Sequence, residues 1–267
     1  MVDGANEMIY DLTKVPAEVR KQIESTAKYR KMFSEFPDKL LAIDTNAKTI
    51  KGQKKGFMTA ILYLTPASAS GFNVCPMAVL AQCDAPCLNT AGRGAMSSVQ
   101  IARLRKTLFF VQYREQFLAL LRKEIRRCVK TIEADEFIPL IRLNGTSDIR
   151  WENYGIPQEF PDVQFYDYTK LVNRVVPSNY DLTFSYSGVA GYQPFVQKAV
   201  AAGMRVAVVF RARSVVEQML VEQIKFMDME VVDGDDSDVR HTDPQGSVVA
   251  LYAKGKAKKD TSGFVVG

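Results

Sequence analysis

Three of the four cysteines lie within thirteen residues, in the stretch CPMAVLAQCDAPC. Cys75, Cys83 and Cys87 follow the spacing C-x7-C-x3-C. Structural zinc sites usually pair their ligands more closely and add a fourth Cys or His, and the only histidine, His241, is far along the chain. Three thiolates without a fourth partner are typical of a [4Fe–4S] cluster in which one iron stays open to a substrate or cofactor. We therefore predict that these cysteines are metal ligands.

The turn TAGRGAM comes directly after the cysteines and leads into a helix. Gly92 and Gly94 permit a close approach of the backbone, and Arg93 offers several hydrogen-bond donors. The N-terminus of the following helix favours a negative charge. We expect these three residues to bind an anionic group of a cofactor or substrate.

Composition sets the compartment in which these thiols would work. The chain has 267 residues, 47% of them hydrophobic, which is enough for a full-sized core. No apolar run approaches the roughly 20 residues that span a bilayer, and the N-terminus lacks the apolar segment of a secretory signal. The sequence thus predicts a cytoplasmic protein without a membrane partner, in which thiols stay reduced and clustered cysteines are ligands rather than disulfides.

The strongest helix signal runs from Ser97 to Ile132, with a break expected near Phe109 to Tyr113. Between residues 97 and 130 nine Lys or Arg oppose two Glu, although the whole chain carries a net charge of only +5. This basic helix could bind nucleic acid or be a solvated outer surface, and both interpretations stay open. Cys128 falls on its apolar face and is expected to be a core thiol.

The remaining sequence predicts α/β architecture. Residues 1–55 read as a helical or irregular extension, and residues 56–267 as a catalytic domain that carries the cysteine loop. Strand-like runs alternate with helical ones at spacings too wide for hairpins, which predicts a parallel sheet. We expect a partial or complete (β/α) barrel, with an open doubly wound sheet as the alternative. The seven predicted strands lie in GFMTAILYLTPA, FIPLIRLNGTSD, VQFYDYTK, YDLTFSYSG, RVAVVFRA, MEVVDGD and GSVVALYAKG.

Most of these strands begin apolar and end polar. In a barrel those carboxyl ends line one mouth, where active sites form. Asp148 could equally cap a turn, and the serines after the fourth predicted strand could equally pack at the edge of the core. Candidate catalytic residues are Asn144, Asp148, Asp167 and Arg211, and candidate cofactor-binding residues are Ser185 and Ser187.

Three separated motifs resemble the phage gene product 88 family in the same order. They are NVCPMAVLAQCDAPCLNTAGRG, IPLIRLNGTSDIRWE and VVDGDDSDVRHTDPQGSVVALYAKGKA, and the match runs from about Gly56 to Lys258. That family is largely uncharacterised, and the resemblance implies expression in the cytoplasm of a host cell.

A cysteine loop after the first strand of a βα barrel more distantly resembles radical SAM enzymes. The resemblance implies a cluster that binds S-adenosylmethionine at its open iron. Those enzymes usually carry C-x3-C-x2-C, and their Gly-Gly-Glu-like stretch is replaced here by LNGTSD.

Two hypotheses follow for function. The first is an iron–sulfur enzyme of radical or redox type that acts on a small or nucleotide-like anionic substrate, with S-adenosylmethionine possible as a cofactor. The second is a non-enzymatic phage protein that binds nucleic acid through the basic helix at residues 97–130 and holds structural zinc at its cysteines.

Overall fold

The computed structural model describes residues 7–43 and 47–267, with side chains from residue 49 onward in the second range. Nine residues of the predicted extension, 1–6 and 44–46, lie outside the described residues. The helices are α1 (Ala17–Ser25), α2 (Ala27–Phe33), α3 (Ala47–Gly52), α4 (Ser97–Gln112), α5 (Arg114–Ala134), α6 (Gln193–Ala201) and α7 (Arg213–Val221). The strands are β1 (Leu41–Ile43), β2 (Phe57–Leu62), β3 (Ile138–Arg142), β4 (Gln164–Thr169), β5 (Tyr180–Ser185), β6 (Val206–Phe210), β7 (Val231–Asp233) and β8 (Val248–Tyr252).

The strands form one mostly parallel sheet in the order β1-β2-β3-β4-β5-β6-β8-β7. Only β1, which pairs with β2, runs antiparallel. The seven predicted strands correspond to β2 through β8, so the α/β class and the parallel sheet are confirmed. The predicted partial or complete barrel is not confirmed, because the sheet is open: β1 and β7 are edge strands that do not pair with each other in the described part of the chain.

The direction of the strands and the connections between them determine which residues lie at the same edge of the sheet. The chain enters each of the strands β2 to β6 in the same direction, so their carboxyl ends share one edge of the sheet. A helix hairpin, α4 and α5, joins β2 to β3, and α6 joins β5 to β6. The connections from β3 to β4 and from β4 to β5 contain no α-helix, unlike the regular alternation that the sequence predicts.

The predicted break in the long helix is confirmed at Tyr113. This residue has φ −132° and ψ 57°, which ends α4 at Gln112 and starts α5 at Arg114. The break lets the two helices fold against the sheet as separate cylinders. Each begins without a side-chain hydrogen bond at its N-cap.

The two faces of the sheet differ in chemistry. One face packs against α4, α5 and the N-terminal helices through a large apolar core, and against α6 and α7 through a second core. The N-terminal segment contributes Ile23 and Phe33, both fully buried, to the first core. The opposite face carries polar side chains such as Arg142 and Tyr166 beneath a loop that contains Asp238. No helix in the described residues is long and apolar enough to cross a membrane.

Aromatic packing holds the helix hairpin on the sheet. Phe117 is fully buried, and its ring lies 5.5 Å from that of Phe109, 5.1 Å from that of Phe110 and 6.3 Å from that of Trp151. Its removal would leave a cavity that these large rings cannot collapse to fill.

We predict that Phe117→Ala lowers the free energy of unfolding by about 3–5 kcal/mol. The matched control is Val175→Ala, whose side chain is 90% exposed and which should change stability by less than about 0.5 kcal/mol. Urea denaturation followed by circular dichroism measures both. A loss similar to the control's would show that the aromatic cluster does not anchor the hairpin.

Candidate functional site

The cysteine loop lies between β2 and α4 and is tied down by residues from distant segments. The Val74 carbonyl accepts a hydrogen bond from the Asp148 amide at 2.8 Å. The Ser187 hydroxyl, fully buried, donates to the Ala81 carbonyl at 2.8 Å. Ser187, predicted to bind a cofactor, thus positions the loop. The loop therefore has a defined place at the carboxyl edge of the sheet.

The C-terminal segment of the described chain closes over the same loop. The Ser262 hydroxyl donates to the Gln82 carbonyl at 3.4 Å, and the Lys256 amide donates to the Thr90 hydroxyl at 3.3 Å. Arg211, predicted to be catalytic, holds this segment, since its guanidinium donates to the carbonyls of Ala257, Lys258 and Gly267 at 3.2–3.4 Å. In this structure Arg211 holds the C-terminal segment of residues 256–267, which we call the strap, in place.

The three clustered thiols are half-buried and lie near one another. Burial raises the pKa of the Cys75 thiol to about 12, and the charges of Asp148, Cys83 and Cys87 raise it further. Burial likewise raises the pKa of Cys87, and Cys83 adds to the effect. Cys75 therefore lies within electrostatic range of Cys83 and Cys87, and the raised pKa values of Cys75 and Cys87 disfavour their free thiolates at neutral pH.

No group of three or more His, Cys, Asp or Glu side chains in the described residues is arranged to hold a metal ion. The three cysteines of the loop therefore do not form a preorganised metal site in this structure. Cys128 lies apart from them in the apolar core, as the sequence predicts.

Lys170, which is not among the predicted site residues, lies within electrostatic range of Cys75, Cys83 and Cys87. It directly follows β4, and its ammonium donates to the Ser185 hydroxyl at 2.7 Å. Burial alone would lower the pKa of Lys170, whereas the Asp148 carboxylate and the nearby Cys83, Cys75 and Cys87, when ionised, raise it. One feature of the sequence could have indicated Lys170 as a site residue. Tyr166, Tyr168 and Lys170 occupy alternate positions in VQFYDYTK and therefore share one face of the predicted strand.

Asp148 connects the loop after β3 to Lys170 and its backbone. Its carboxylate accepts hydrogen bonds from the Thr169 hydroxyl at 2.8 Å and from the Lys170 amide at 2.7 Å, and the Arg174 guanidinium lies 3.4 Å away. Burial nevertheless raises the pKa of Asp148. This residue lies at the site, where it shapes the turn and adds negative charge beside the thiols.

Asn144 organises the loop after β3 rather than facing the thiols. Its side-chain oxygen accepts hydrogen bonds from the Ser147 hydroxyl, the Ile149 amide and the Trp151 indole at 2.9–3.1 Å. Its amide nitrogen donates to the Ile149 carbonyl at 3.0 Å. These contacts use the full side chain, so the structure gives Asn144 a structural role.

The turn predicted to bind an anion lies at the start of α4. Gly94 is buried, and a Cβ there would meet the Asn89 carbonyl oxygen at 2.8 Å, so only glycine fits. Arg93 is exposed, as is Gly92, which has a positive φ of 53°. Arg103 instead acts electrostatically on Cys87, and its guanidinium bonds Asn89 and lies 4.6 Å from the Tyr63 ring.

Most cations of the predicted basic helix have partners within the protein. Arg122 makes a salt bridge with Glu159 at 2.6 Å, and Arg127 makes one with Glu124 at 2.9 Å. Lys106 donates to the Leu40 carbonyl at 2.6 Å, and burial lowers its pKa to about 8. The excess of positive charge in the sequence thus includes side chains that hold the helices to the rest of the fold.

Asp167, the remaining predicted catalytic residue, is buried beneath the strand ends. It accepts hydrogen bonds from the Leu143 amide at 3.2 Å, the Asn144 amide at 2.8 Å and the Tyr180 hydroxyl at 2.8 Å. Burial raises its pKa to about 7, although the nearby Arg142 opposes the rise. The folded protein therefore keeps a proton that the unfolded chain releases near pH 4.

We predict that Asp167 makes the protein less stable as pH rises from about 4 through about 7, because over this range the folded state binds more protons than the unfolded state. The variant Asp167→Asn lacks this ionisation. Compared with wild type, it should gain on the order of a few kcal/mol of unfolding free energy between pH 5 and pH 8. Denaturation at both pH values measures the change, and exposed Asp162→Asn is the control. A stability difference that does not vary with pH would contradict the prediction.

Comparison with known proteins adds one result to this geometry. No curated protein and no solved structure matches the chain significantly. The family described as Gene product 88 has a sequence model that matches residues 39–267, which includes the cysteine loop and every strand of the sheet. The chain therefore belongs to the phage gene product 88 family.

Proposed function

We propose that the protein is an iron–sulfur enzyme whose [4Fe–4S] cluster is held by Cys75, Cys83 and Cys87. The observation that carries the proposal is a loop with three half-buried cysteines that is held at the carboxyl edge of the sheet, within electrostatic range of Lys170. All four groups lie at the carboxyl edge of a parallel sheet, where α/β proteins place their ligands.

The charges support a thiolate-bound metal centre. Burial raises the pKa values of Cys75 and Cys87, so free thiolates are unfavourable there, but metal coordination deprotonates a thiol outright. Three bound thiolates give an oxidised cluster a net negative charge. The ammonium of Lys170 would balance that charge, which also explains a lysine in a setting where burial alone disfavours its charged form.

Structural zinc has less support than a cluster. Zinc sites usually pair their ligands closely and add a fourth Cys or His, and the spacing C-x7-C-x3-C has neither feature. His241 does not complete a zinc site, because its ring packs against those of Phe57 and Tyr166 on the polar face of the sheet.

Such a cluster supplies one-electron chemistry and an open iron for a ligand. S-adenosylmethionine is the candidate cofactor that the resemblance to radical SAM enzymes brings. The residues of this chain would fix the site: Ser187 and the carbonyl of Val74 hold the loop, and Lys170 and Ser185 orient an anionic group beside it. The reducing cytoplasm of a host cell would keep the thiols available.

The alternative, binding of nucleic acid through the basic helix, has less support. A nucleic-acid surface needs cations that are free to contact phosphates. Several cations between residues 97 and 130 instead bond carboxylates or carbonyls of the protein, among them Arg105, which donates to the Glu35 carbonyl at 3.0 Å.

The test is anaerobic reconstitution with iron and sulfide, followed by metal and sulfide analysis and a visible spectrum. Wild type should carry about four iron and four sulfide ions per chain. Each of the variants Cys75→Ala, Cys83→Ala and Cys87→Ala should lose most of the bound iron and the charge-transfer absorbance.

The matched control is Cys128→Ala, which removes the one thiol outside the loop and should keep the cluster. A colourless wild-type protein with one tightly bound zinc ion would contradict the cluster and favour the alternative. Equal iron binding by all four cysteine variants would contradict the assignment of the ligands.

A further inference from the structure

A cavity of about 310 Å³ lies beside the cysteine loop and opens next to Lys170. Met77 from the loop, Leu171 and Val172 from the segment after β4, and Phe195 from α6 give it apolar walls. Lys170 and Lys198 are its two charged lining residues. An apolar cavity of this volume with a few convergent polar groups has the properties of a small-molecule site.

The ammonium of Lys170 has donors to spare. Its bond to Ser185 is the one hydrogen bond that its nitrogen makes with the described residues, and an ammonium has three N–H groups. The hydroxyl of Ser185 is neutral, and the neighbouring Asp148 carboxylate accepts a hydrogen bond from the backbone amide of Lys170 rather than from its ammonium. A partly buried ammonium with unused donors at the wall of a cavity calls for an anion.

We propose that this cavity binds a small organic anion with an apolar body, and that Lys170 and Lys198 pair with its carboxylate, sulfonate or phosphate group. Lys170 would thereby hold the anionic end of the molecule next to the thiols. The role of this molecule as the substrate rests on the proposed function, whereas its binding does not.

Two other places in the structure are less suited to an anion. A cavity of about 430 Å³ on the other side of Leu171 includes Arg114 and Arg150. Arg114 lies 3.8 Å from the Phe110 ring and donates to the Phe110 carbonyl at 2.6 Å, and Arg150 bonds the carbonyl and side chain of Asn173. These guanidinium groups are already engaged, and the predicted turn at Arg93 is exposed rather than enclosed.

The test compares two fluorescent dyes that share one ring system. The dye 8-anilinonaphthalene-1-sulfonate carries a negative charge, and N-phenyl-1-naphthylamine is its neutral counterpart. The full-length protein, with and without reconstitution, should bind the sulfonate at least about 10-fold more tightly, a preference worth one strong charge pair. Added salt should reduce the difference.

Lysine variants identify the site. Lys170→Met should weaken sulfonate binding about 10-fold and Lys198→Met about 3-fold, with little effect on the neutral dye. Lys225→Met removes an exposed lysine that does not line the cavity and should change neither dye. Should Lys170→Met fail to fold, Val172→Glu places a negative charge in the wall and should abolish sulfonate binding while the neutral dye still binds.

Equal affinity for the two dyes, or sulfonate binding unchanged in Lys198→Met and Val172→Glu, would overturn the proposed anion site. The triple variant Cys75→Ser, Cys83→Ser, Cys87→Ser lacks the proposed cluster ligands and should still prefer the sulfonate to the neutral dye. Dye binding is thereby measured separately from cluster assembly. Charge-dependent dye binding in a wild-type protein that assembles no cluster would overturn the cluster alone. A cluster without charge-dependent dye binding would overturn the anion site alone.

Discussion

The compensation of the partly buried ammonium of Lys170 is the constraint on which the carboxyl edge of the sheet depends. Its hydrogen bond to Ser185 joins the end of β4 to the end of β5. An ion removed from water costs free energy unless charges or hydrogen bonds compensate for it. Here the Ser185 hydroxyl accepts a hydrogen bond from the ammonium, and Asp148 and the three cysteines of the loop lie within electrostatic range of it. Burial raises the pKa values of Cys75 and Cys87, so the charge that faces Lys170 depends on the state of these thiols. Electrostatics therefore ties the cysteine loop, the end of β4 and the end of β5 into one unit.

A second layer of buried polar groups keeps that unit in place. Asn144 fixes the loop after β3, Asp167 accepts from the backbone beneath it, and Asp148 reaches the end of β4. Ser187 and Arg211 do the same for the cysteine loop and for the strap across it. These side chains do not face the thiols, except for Asp148, yet their hydrogen bonds decide where the thiols lie. Support of this kind is what a precise site requires.

Local pattern predicted most of the architecture. Apolar runs with polar ends gave β2 to β8, and the helical period gave both α4 and α5 with the break at Tyr113. The short antiparallel strand β1 was not predicted, since three residues carry too little pattern. The sequence does not decide between an open sheet and a closed barrel, because closure depends on which strands meet at the edges.

Within the site, the pattern correctly places the polar strand ends at one edge of the sheet. Whether each side chain faces the thiols or holds a loop depends on tertiary contacts. The sequence pattern does not identify Lys170 as a site residue, because a lone lysine after a strand is usually solvated.

The strap across the cysteine loop has a consequence for how the protein matures. Ser262 and Lys256 bond loop residues that lie 180 and 166 positions earlier in the chain. Contacts between such distant segments close an expensive loop of chain and form slowly. A nascent chain thus displays its cysteines long before the residues that enclose them have been synthesised. During that interval the three thiols are more exposed to solvent and oxidants than in the folded protein, where they are half-buried.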